Sequence, residues 1–401
     1  MIILVLNCGS SSLKYQVLDM KGDENYELLA KGLVERIGLE KGDITHKPAG
    51  KGKYEISKPI PDHTEGIKSV LELLTDKEWG VLSSLDQIDA VGHRVAHGGE
   101  TFPESCVVTA EVKKGIEDLC QLAPLHNPAN LLGISAVERL MPKTPQVAVF
   151  DTSFHQTMPA SSFMYAIPYE YYQKYKIRRY GFHGTSHKFV AEKACKLVGL
   201  DVNNSKVITC HLGNGGSVTA VLNGKSVDTS MGFTPMEGVL MGTRCGSVDA
   251  GLVTFLQEKE GLDAAGINSV LNKKSGFQGV SGISSDCRDI ETAAKDGNER
   301  AALTLEMFNH SVRKYIGAYS AVMGGVDLIV FTGGIGENDC NSREGICSTL
   351  GYLGVDFSHE ANDGVRGKDV IISKPESKVK VVTVTTNEEL VIARDTMHLV
   401  K

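Results

Sequence analysis

The run Met1-Ile2-Ile3-Leu4-Val5-Leu6 leads straight into Asn7-Cys8-Gly9-Ser10-Ser11-Ser12-Leu13-Lys14-Tyr15. Six apolar residues rich in Ile, Leu and Val read as a buried strand. The composition then changes at once. Gly9 allows backbone angles that other residues resist, and three serine hydroxyls sit beside backbone N–H groups, a turn suited to anionic oxygens. Leu13 to Leu18 resumes the extended pattern and closes a hairpin, with Lys14 just past the turn to add positive charge. Taken alone, this is equally well an ordinary hairpin with a small-residue turn.

Repetition is what distinguishes it. Val207-Ile208-Thr209-Cys210-His211-Leu212-Gly213-Asn214-Gly215-Gly216-Ser217-Val218-Thr219-Ala220-Val221-Leu222 is a second strand, glycine turn and strand, and Gly215 follows Gly9 by about half of the 401 residues. Ile88 to Gly99, a strand that releases Arg94, His93 and His97 near its end, is echoed by Val326 to Asn338, which also ends in paired glycines. Two matched pairs in the same order imply a duplicated fold whose phosphate-gripping turns face each other across a cleft.

Between these landmarks, residues 20–62 continue an antiparallel sheet, and residues 63–82 carry a helical pattern with Thr64 as its cap. Residues 111–140 read as two helices joined by the proline-bounded link Ala123-Pro124-Leu125-His126-Asn127-Pro128. Gln146 to Phe150 is a strand that delivers Asp151 at its end, where a carboxylate meets a metal ion or merely caps the chain. Pro159 to Tyr175 reads as an irregular connection, and residue 151 as the boundary between two domains, 1–150 and 151–387, with a final helix at about 388–401. Arg178-Arg179-Tyr180-Gly181-Phe182-His183-Gly184-Thr185-Ser186-His187 precedes a helix from about Ser186, whose free N–H groups suit an anion. Residues 228–249 form loops that hold Arg244 between glycines. Helices follow at about Ile290 to Lys295 and at 299–324, the latter with Leu303, Met307, Val312, Ile316, Tyr319 and Val322 on its apolar face. Glu388 opens the last helix, where the helix dipole alone favours an acid.

Length and composition bound the function. A chain of 401 residues makes about two domains with their own cores, and 41% hydrophobic with 23% charged residues is ordinary for a globular protein. Lys plus Arg minus Asp plus Glu is 42 − 49 = −7, with no basic block, which argues against a nucleic-acid partner. Nine scattered cysteines without a C-x-x-C pair read as reduced thiols of a cytoplasmic protein. No leader-like segment and no membrane-length apolar run is expected. The glycine turns match none of the common nucleotide or hydrolase signatures. Gly224-Lys225-Ser226 has Thr219 where a P-loop needs its first glycine, Gly213-Asn214-Gly215 and Gly334-Ile335-Gly336 lack the third glycine of a dinucleotide fingerprint, and Gly9-Ser10-Ser11-Ser12-Leu13 is not a nucleophile elbow.

Assembled in order, NCGSSSLKY at Asn7–Tyr15, GHRVAHGGE, APLHNP, DTSFHQTMP at Asp151–Pro159, YGFHGTSH at Tyr180–His187, HLGNGGS, FTGGIGEN and TNEEL closely resemble the acetate kinase family over essentially the whole chain. The resemblance implies an α/β fold of two duplicated βββαβαβα domains, actin-like and ribonuclease H-like, with a cleft between them. It implies reversible, direct in-line phosphoryl transfer between ATP and acetate, giving ADP and acetyl phosphate, with Mg2+ or Mn2+. It also implies that the helix at about 388–401 returns to the first domain, and a cytoplasmic homodimer, with the nucleotide site and the dimer interface in the second domain, and no membrane partner. Carried over by position, Asp151, Arg94, Arg244 and His183 are the catalytic set, with His183 and Arg244 stabilising the phosphoryl in flight and His126 and His211 nearby. Asn7 and Glu388 are the metal residues. Arg94, Ala96, Leu125, Phe182 and Pro235 form the acyl pocket. Ser10, Ser12, Lys14, His211, Leu212, Gly213, Asn214, Gly215 and Gly216 form the phosphate turns. Asp286, Cys287, Arg288, Gly333, Gly334, Ile335, Gly336 and Glu337 form the adenosine pocket.

Two departures bear on this expectation. Ala96 stands where the family usually has valine, which enlarges the acyl pocket towards propionate; a methylene there is worth about 1–3 kcal/mol. After Arg244, Cys245, Ser247 and Ala250 replace a pattern that ordinarily carries a further carboxylate and a proline. The rival readings are a propionate or other short-chain carboxylate kinase and, from another class, an actin-like ATP-dependent switch.

Overall fold

Each half of the chain opens its sheet with one of the two glycine-turn hairpins. The computed structural model describes all 401 residues, which divide into one unit of Met1–Ser153 with Asn387–Lys401 and another of Phe154–Thr386. Asp151 therefore belongs to the first unit instead of opening the second.

In the first unit β1 (Ile2–Cys8), β2 (Ser12–Met20), β3 (Tyr26–Glu35), β4 (Gly42–Pro48), β5 (Tyr54–Lys58), β6 (Ala90–Val95), β7 (Cys106–Val107) and β8 (Gln146–Phe150) form one sheet in the order β5-β4-β3-β2-β1-β6-β8-β7. In the second, β9 (Lys206–Leu212), β10 (Gly216–Leu222), β11 (Lys225–Thr229), β12 (Leu328–Thr332), β13 (Val370–Ile371) and β14 (Lys380–Thr383) run in the order β11-β10-β9-β12-β14-β13. The inner strands β3-β2-β1-β6-β8 and β11-β10-β9-β12-β14 share both order and direction: two antiparallel pairings, then two parallel ones. This is the duplication that the repeated hairpins imply. Ile3 to Leu6 and Leu328 to Phe331 are all buried, because a central strand covered on both faces needs a continuous apolar run instead of alternation.

The helix His63–Leu74 and the helix Asn127–Leu140 share a core with Leu4 and Leu6. The cap of the first is Asp62, whose carboxylate accepts from Glu65 N at 2.9 Å, not Thr64. The last helix, Glu388–Val400, packs along β1, β2, β6 and β8. Gly92 pairs in register with Val5, on the face opposite Leu4 and Leu6, and a Cβ there would lie 2.6 Å from Ile392. A larger residue would hold this helix off the sheet.

In the second unit the helix Gly184–Val198 packs on β9, β12 and β14. The long helix Glu299–Val322 buries Phe308, Val312, Ile316 and Tyr319. Leu303, Met307 and Val322, read from periodicity as core, are instead 54%, 39% and 53% exposed. Residues expected to be irregular after Pro159 form two short helices, Ala160–Phe163 and Tyr169–Tyr175. The helix expected from Ile290 starts at Cys287, because Asp286 caps it by accepting from Arg288 N at 2.9 Å.

Candidate functional site

Parallel strands bring their C-terminal ends to one edge, and in the first unit that edge collects the chemistry. β1 carries Asn7, β6 carries Arg94, β8 is followed at once by Asp151, and Glu388 opens the last helix. Arg94 Nε donates to Asp151 Oδ1 at 2.9 Å and to Oδ2 at 3.1 Å, Nη2 also donates to Oδ2, and Nη1 donates to Asn7 Oδ1 at 3.2 Å. A guanidinium has five N–H donors, so two remain for an incoming oxyanion. Burial opposes the charge of Arg94, but Asp151 outweighs it and raises the guanidinium above its ordinary value. Glu388 is pushed up to about 7, first by burial and then by Asp151, with Arg94 pulling against them.

Other expected residues of this unit are placed differently. Lys14 pairs with Glu389, beside Glu388. Gly9 does not have a left-handed φ; a Cβ there would lie 2.8 Å from Ser12 Oγ, which would have to rotate away. Ser10 is exposed and Ser12 half-buried on this turn. Ala96 is buried, whereas Leu125 is 66% exposed. His126 immediately precedes the helix Asn127–Leu140.

Two asparagines escaped the sequence reading. Asn130 accepts from Ala96 N at 3.0 Å and donates to Cys8 O at 2.7 Å, while Asn127 both accepts from His97 N and donates to His97 O. Asn130 stitches the ends of β1 and β6 together just past the ladder, and Asn127 fixes His97 beyond the end of β6. Their spacing of three residues at the start of a helix was the available signal.

The second unit gathers imidazoles and an arginine around the glycine turn. His183, in a left-handed conformation with φ 56°, is the residue before the helix Gly184–Val198. Its ring stacks on His211 at 4.2 Å between centroids, and Ser217 Oγ lies 2.9 Å from its Nδ1. Ser217 Oγ is also 2.7 Å from His187 Nε2, and His211 Nδ1 is 2.8 Å from Ser186 Oγ. Burial, then the neighbouring His155 and His211, hold His187 well below its ordinary value, which fits a neutral bracing ring. Leu212 is buried at the end of β9, and Gly213 N donates to Gly215 O at 3.0 Å.

A Cβ on Gly215 would lie 2.9 Å from Arg244 Nη2 and 3.6 Å from His183 Cε1, so turn, arginine and histidine meet at one point. Arg244 Nη1 donates to Pro235 O at 2.6 Å. Burial lowers its pKa, and no carboxylate acts against that. A partly buried cation without a counter-charge favours an anionic ligand. Arg179, by contrast, is paired with Glu237 at 2.6 Å and braces the loop beyond β11. Phe182 is buried and Pro235 half-buried in the same unit.

A cavity of about 840 Å³ lies beside this turn, between the helices Cys287–Lys295 and Gly333–Asn338. Asn214, Asp286, Cys287, Arg288, Gly334 and Ile335 line it. The Arg288 guanidinium and backbone N–H hold Asp286 down to about 2. Gly333, Gly336 and Glu337 support the wall from behind. Glu337 Oε1 accepts from Gly333 N and Thr386 N, both at 3.0 Å, and Gly336 O accepts from the buried Arg343 at 3.0 Å.

Asn7, Asp151 and Glu388 offer only oxygen donors, the set that suits a hard divalent cation. No three His, Cys, Asp or Glu side chains converge to hold an ion unaided.

Comparison with known proteins gives concordant matches. The Acetokinase family profile matches residues 2–394. An acetate kinase of Halothermothrix orenii is 57% identical over 401 residues, covering all of both chains. The crystal structure of Porphyromonas gingivalis acetate kinase superposes with a TM-score of 0.96 at 51% identity, again over all of both chains. A propionate kinase from Francisella tularensis has a TM-score of 0.91 at 40% identity, over 99% of each chain.

Proposed function

Because this chain belongs to the acetokinase family, we propose that it is an acetate kinase, a phosphotransferase that exchanges a phosphoryl group reversibly between ATP and acetate. A carboxylate oxygen of acetate attacks the γ-phosphorus in line, the bond to the β–γ bridging oxygen breaks, and ADP and acetyl phosphate result. Substrate, nucleotide and the phosphoryl in flight are all anions, so repulsion dominates unless cations are arranged in advance.

The observation that carries this reading is Arg244, half-buried at the turn beside His183 and Gly215 with no carboxylate on it. Arg94, with two donors unspent on Asp151 and Asn7, supplies the second cation. In this proposal Arg94 orients the acyl carboxylate, Arg244 and His183 stabilise the transferring oxygens, and Gly213 to Gly216 hold the nucleotide phosphates. Asp151, Asn7 and Glu388 would hold Mg2+, which when bound would supply charge neutralisation of the polyphosphate. Ala96 and Leu125 of the first unit and Phe182 and Pro235 of the second are the residues this proposal assigns to the methyl group. Homodimerisation and a cytoplasmic location belong to the same proposal, supported by the exposed apolar Leu252, Phe255 and Leu303 of the second unit and by nine free thiols. No helix is long and apolar enough to cross a membrane.

Trapping acyl phosphate with hydroxylamine tests the reading directly. Acetate-dependent trapping is expected, and Arg94→Ala and Arg244→Ala should each lower turnover at least about 10²-fold with the circular dichroism unchanged. ATP hydrolysis without acyl phosphate would instead indicate a nucleotide switch. The small side chain of Ala96 favours a second reading, propionate kinase, and a higher kcat/KM on propionate than on acetate in the same assay would select it.

A further inference from the structure

Ser217 is a strand residue to which the proposed function gives no part, yet it is bonded to His183. It lies in β10 opposite His211 of β9, and its Oγ is 2.9 Å from His183 Nδ1 and 2.7 Å from His187 Nε2. His187 Nδ1 in turn lies 2.7 Å from Thr209 Oγ1. Thr209, His187 and Ser217 are each 0% exposed, so the polar atoms of this row have to satisfy one another.

The direction of the row follows from its hydrogens. A hydroxyl has one O–H and two lone pairs, and a neutral imidazole has one N–H and one lone pair. Burial, reinforced by His155 and His211, keeps His187 neutral. The acceptor that the Thr209 hydroxyl meets is His187 Nδ1, so its hydrogen goes there. The His187 proton then stands on Nε2 and is donated to Ser217 Oγ. Ser217, accepting on that side, gives its own hydrogen to His183 Nδ1. That nitrogen therefore accepts, and the proton of a neutral His183 ring stands on Nε2. The reverse direction would strand the Thr209 hydrogen in a dry site and put the His183 proton on Nδ1, against Ser217.

His183 is a residue that needs such support. It is not a glycine, yet it has φ 56°, a strained conformation that persists only where the surroundings over-determine it. The Cε1 edge of its ring faces the glycine turn: a Cβ on Gly215 would lie 3.6 Å from Cε1 and 2.9 Å from Arg244 Nη2. Nδ1 and Nε2 flank that carbon, and Ser217 takes Nδ1. Resting on the reading above, in which His183 stabilises the phosphoryl in flight, we propose that Ser217 is a positioning residue for the transfer: its hydroxyl donates to His183 Nδ1 and so keeps the imidazole proton on Nε2, for an oxygen of the transferring group. Ser217 acts through His183 and touches neither nucleotide nor acyl substrate.

The test is a double-mutant cycle on acyl phosphate formation by the full chain, with Ser217→Ala made alone and together with His183→Ala. Alone, Ser217→Ala should lower kcat about 10- to 100-fold and leave KM for ATP and for acetate within about twofold, because only the orientation and tautomer of His183 are lost. With His183→Ala already present, the same substitution should cost less than about twofold. Wild-type kcat in Ser217→Ala overturns the proposal. So does an equal loss in both backgrounds, which is what a merely structural role gives. Should Ser217→Ala not fold by circular dichroism, Thr209→Val takes its place in the cycle: it keeps the side-chain shape but removes the hydrogen that sets the row's direction, and kcat should fall about threefold or more only while His183 is present. An unchanged kcat there overturns the proposal equally. Full turnover in His183→Ala removes the role of His183 and the proposal with it, whereas absence of acyl phosphate from the wild type overturns the kinase reading itself.

Discussion

Glu388 is a site residue whose charge state depends on its surroundings. Its carboxyl sits beside Asp151 in a partly buried place, and its pKa of about 7 lies well above the ordinary 4.5. Between those values the metal-free folded protein keeps a proton that the unfolded chain has already released, so its stability falls as pH rises through this window. A divalent cation needs the carboxylate. Metal affinity is therefore expected to climb from about pH 5.5 to about 7, to level off above, and to be accompanied by proton release. Titration of the purified protein with Mn2+ at several pH values reads this directly, and Glu388→Gln should bind weakly with no slope. A wild-type affinity that is flat with pH would remove Glu388 from the metal site. The sequence identified Asn7, Arg94, Asp151 and Glu388 as polar residues at strand or helix ends, but not that Asp151 takes two N–H groups of Arg94 and Asn7 a third, leaving two.

Glycine turns, strands and helix starts act as units that place such residues. The turn Gly213–Gly216 shows how tightly this is done: a methyl group on Gly215 meets the end of the flexible Arg244 side chain before it meets any backbone. Gly215→Ala should therefore move the guanidinium and cost little stability, within about 0.5–1 kcal/mol by urea denaturation. Turnover should fall at least about tenfold, because small misplacement of a positioned charge is expensive. Normal turnover in that variant would separate Arg244 from the chemistry. The elements themselves were largely legible, since continuous apolar runs mark β1, β9 and β12 and a glycine turn follows each hairpin's first strand. The inward face of Glu299–Val322 was legible only in part: Val312, Ile316 and Tyr319 are buried as expected, but Leu303 and Met307 repeat with the period of a core stripe while Ala301 and Thr304 do the packing.

For the whole molecule, exposed apolar surface is the feature that a single chain leaves unexplained. The helix Ala250–Glu260 has no buried residue and exposes Leu252 and Phe255, and Leu303 and Met307 are exposed in the same unit. Covering such residues in a homodimer removes them from water at about 25 cal/mol per Å². Sedimentation is expected to give twice the 43.2 kDa chain mass, with Phe255→Lys shifting the protein towards monomer. A wild-type monomer at micromolar concentration would withdraw the dimer. The organisation of each unit also depends on the full chain: the helix Glu388–Val400 supplies one cover of the first sheet from the far end of the sequence. Its return was expected from family resemblance, and Gly92 supplies the local physical reason that it fits.

Sequence alone determined the duplicated α/β plan, since apolar runs followed by glycine turns recur in both halves in the same order, and patterning of that kind is a local property. It also determined the family, through polar motifs that hydrophobic packing does not require. Only the tertiary structure decided which cations are already neutralised. Arg94 is shared with Asp151 and Asn7, Arg179 is spent on Glu237, Lys14 on Glu389, and Arg244 alone among them has no carboxylate. Charge pairing joins residues tens to hundreds of positions apart, and no local pattern in the chain encodes which partner each will find.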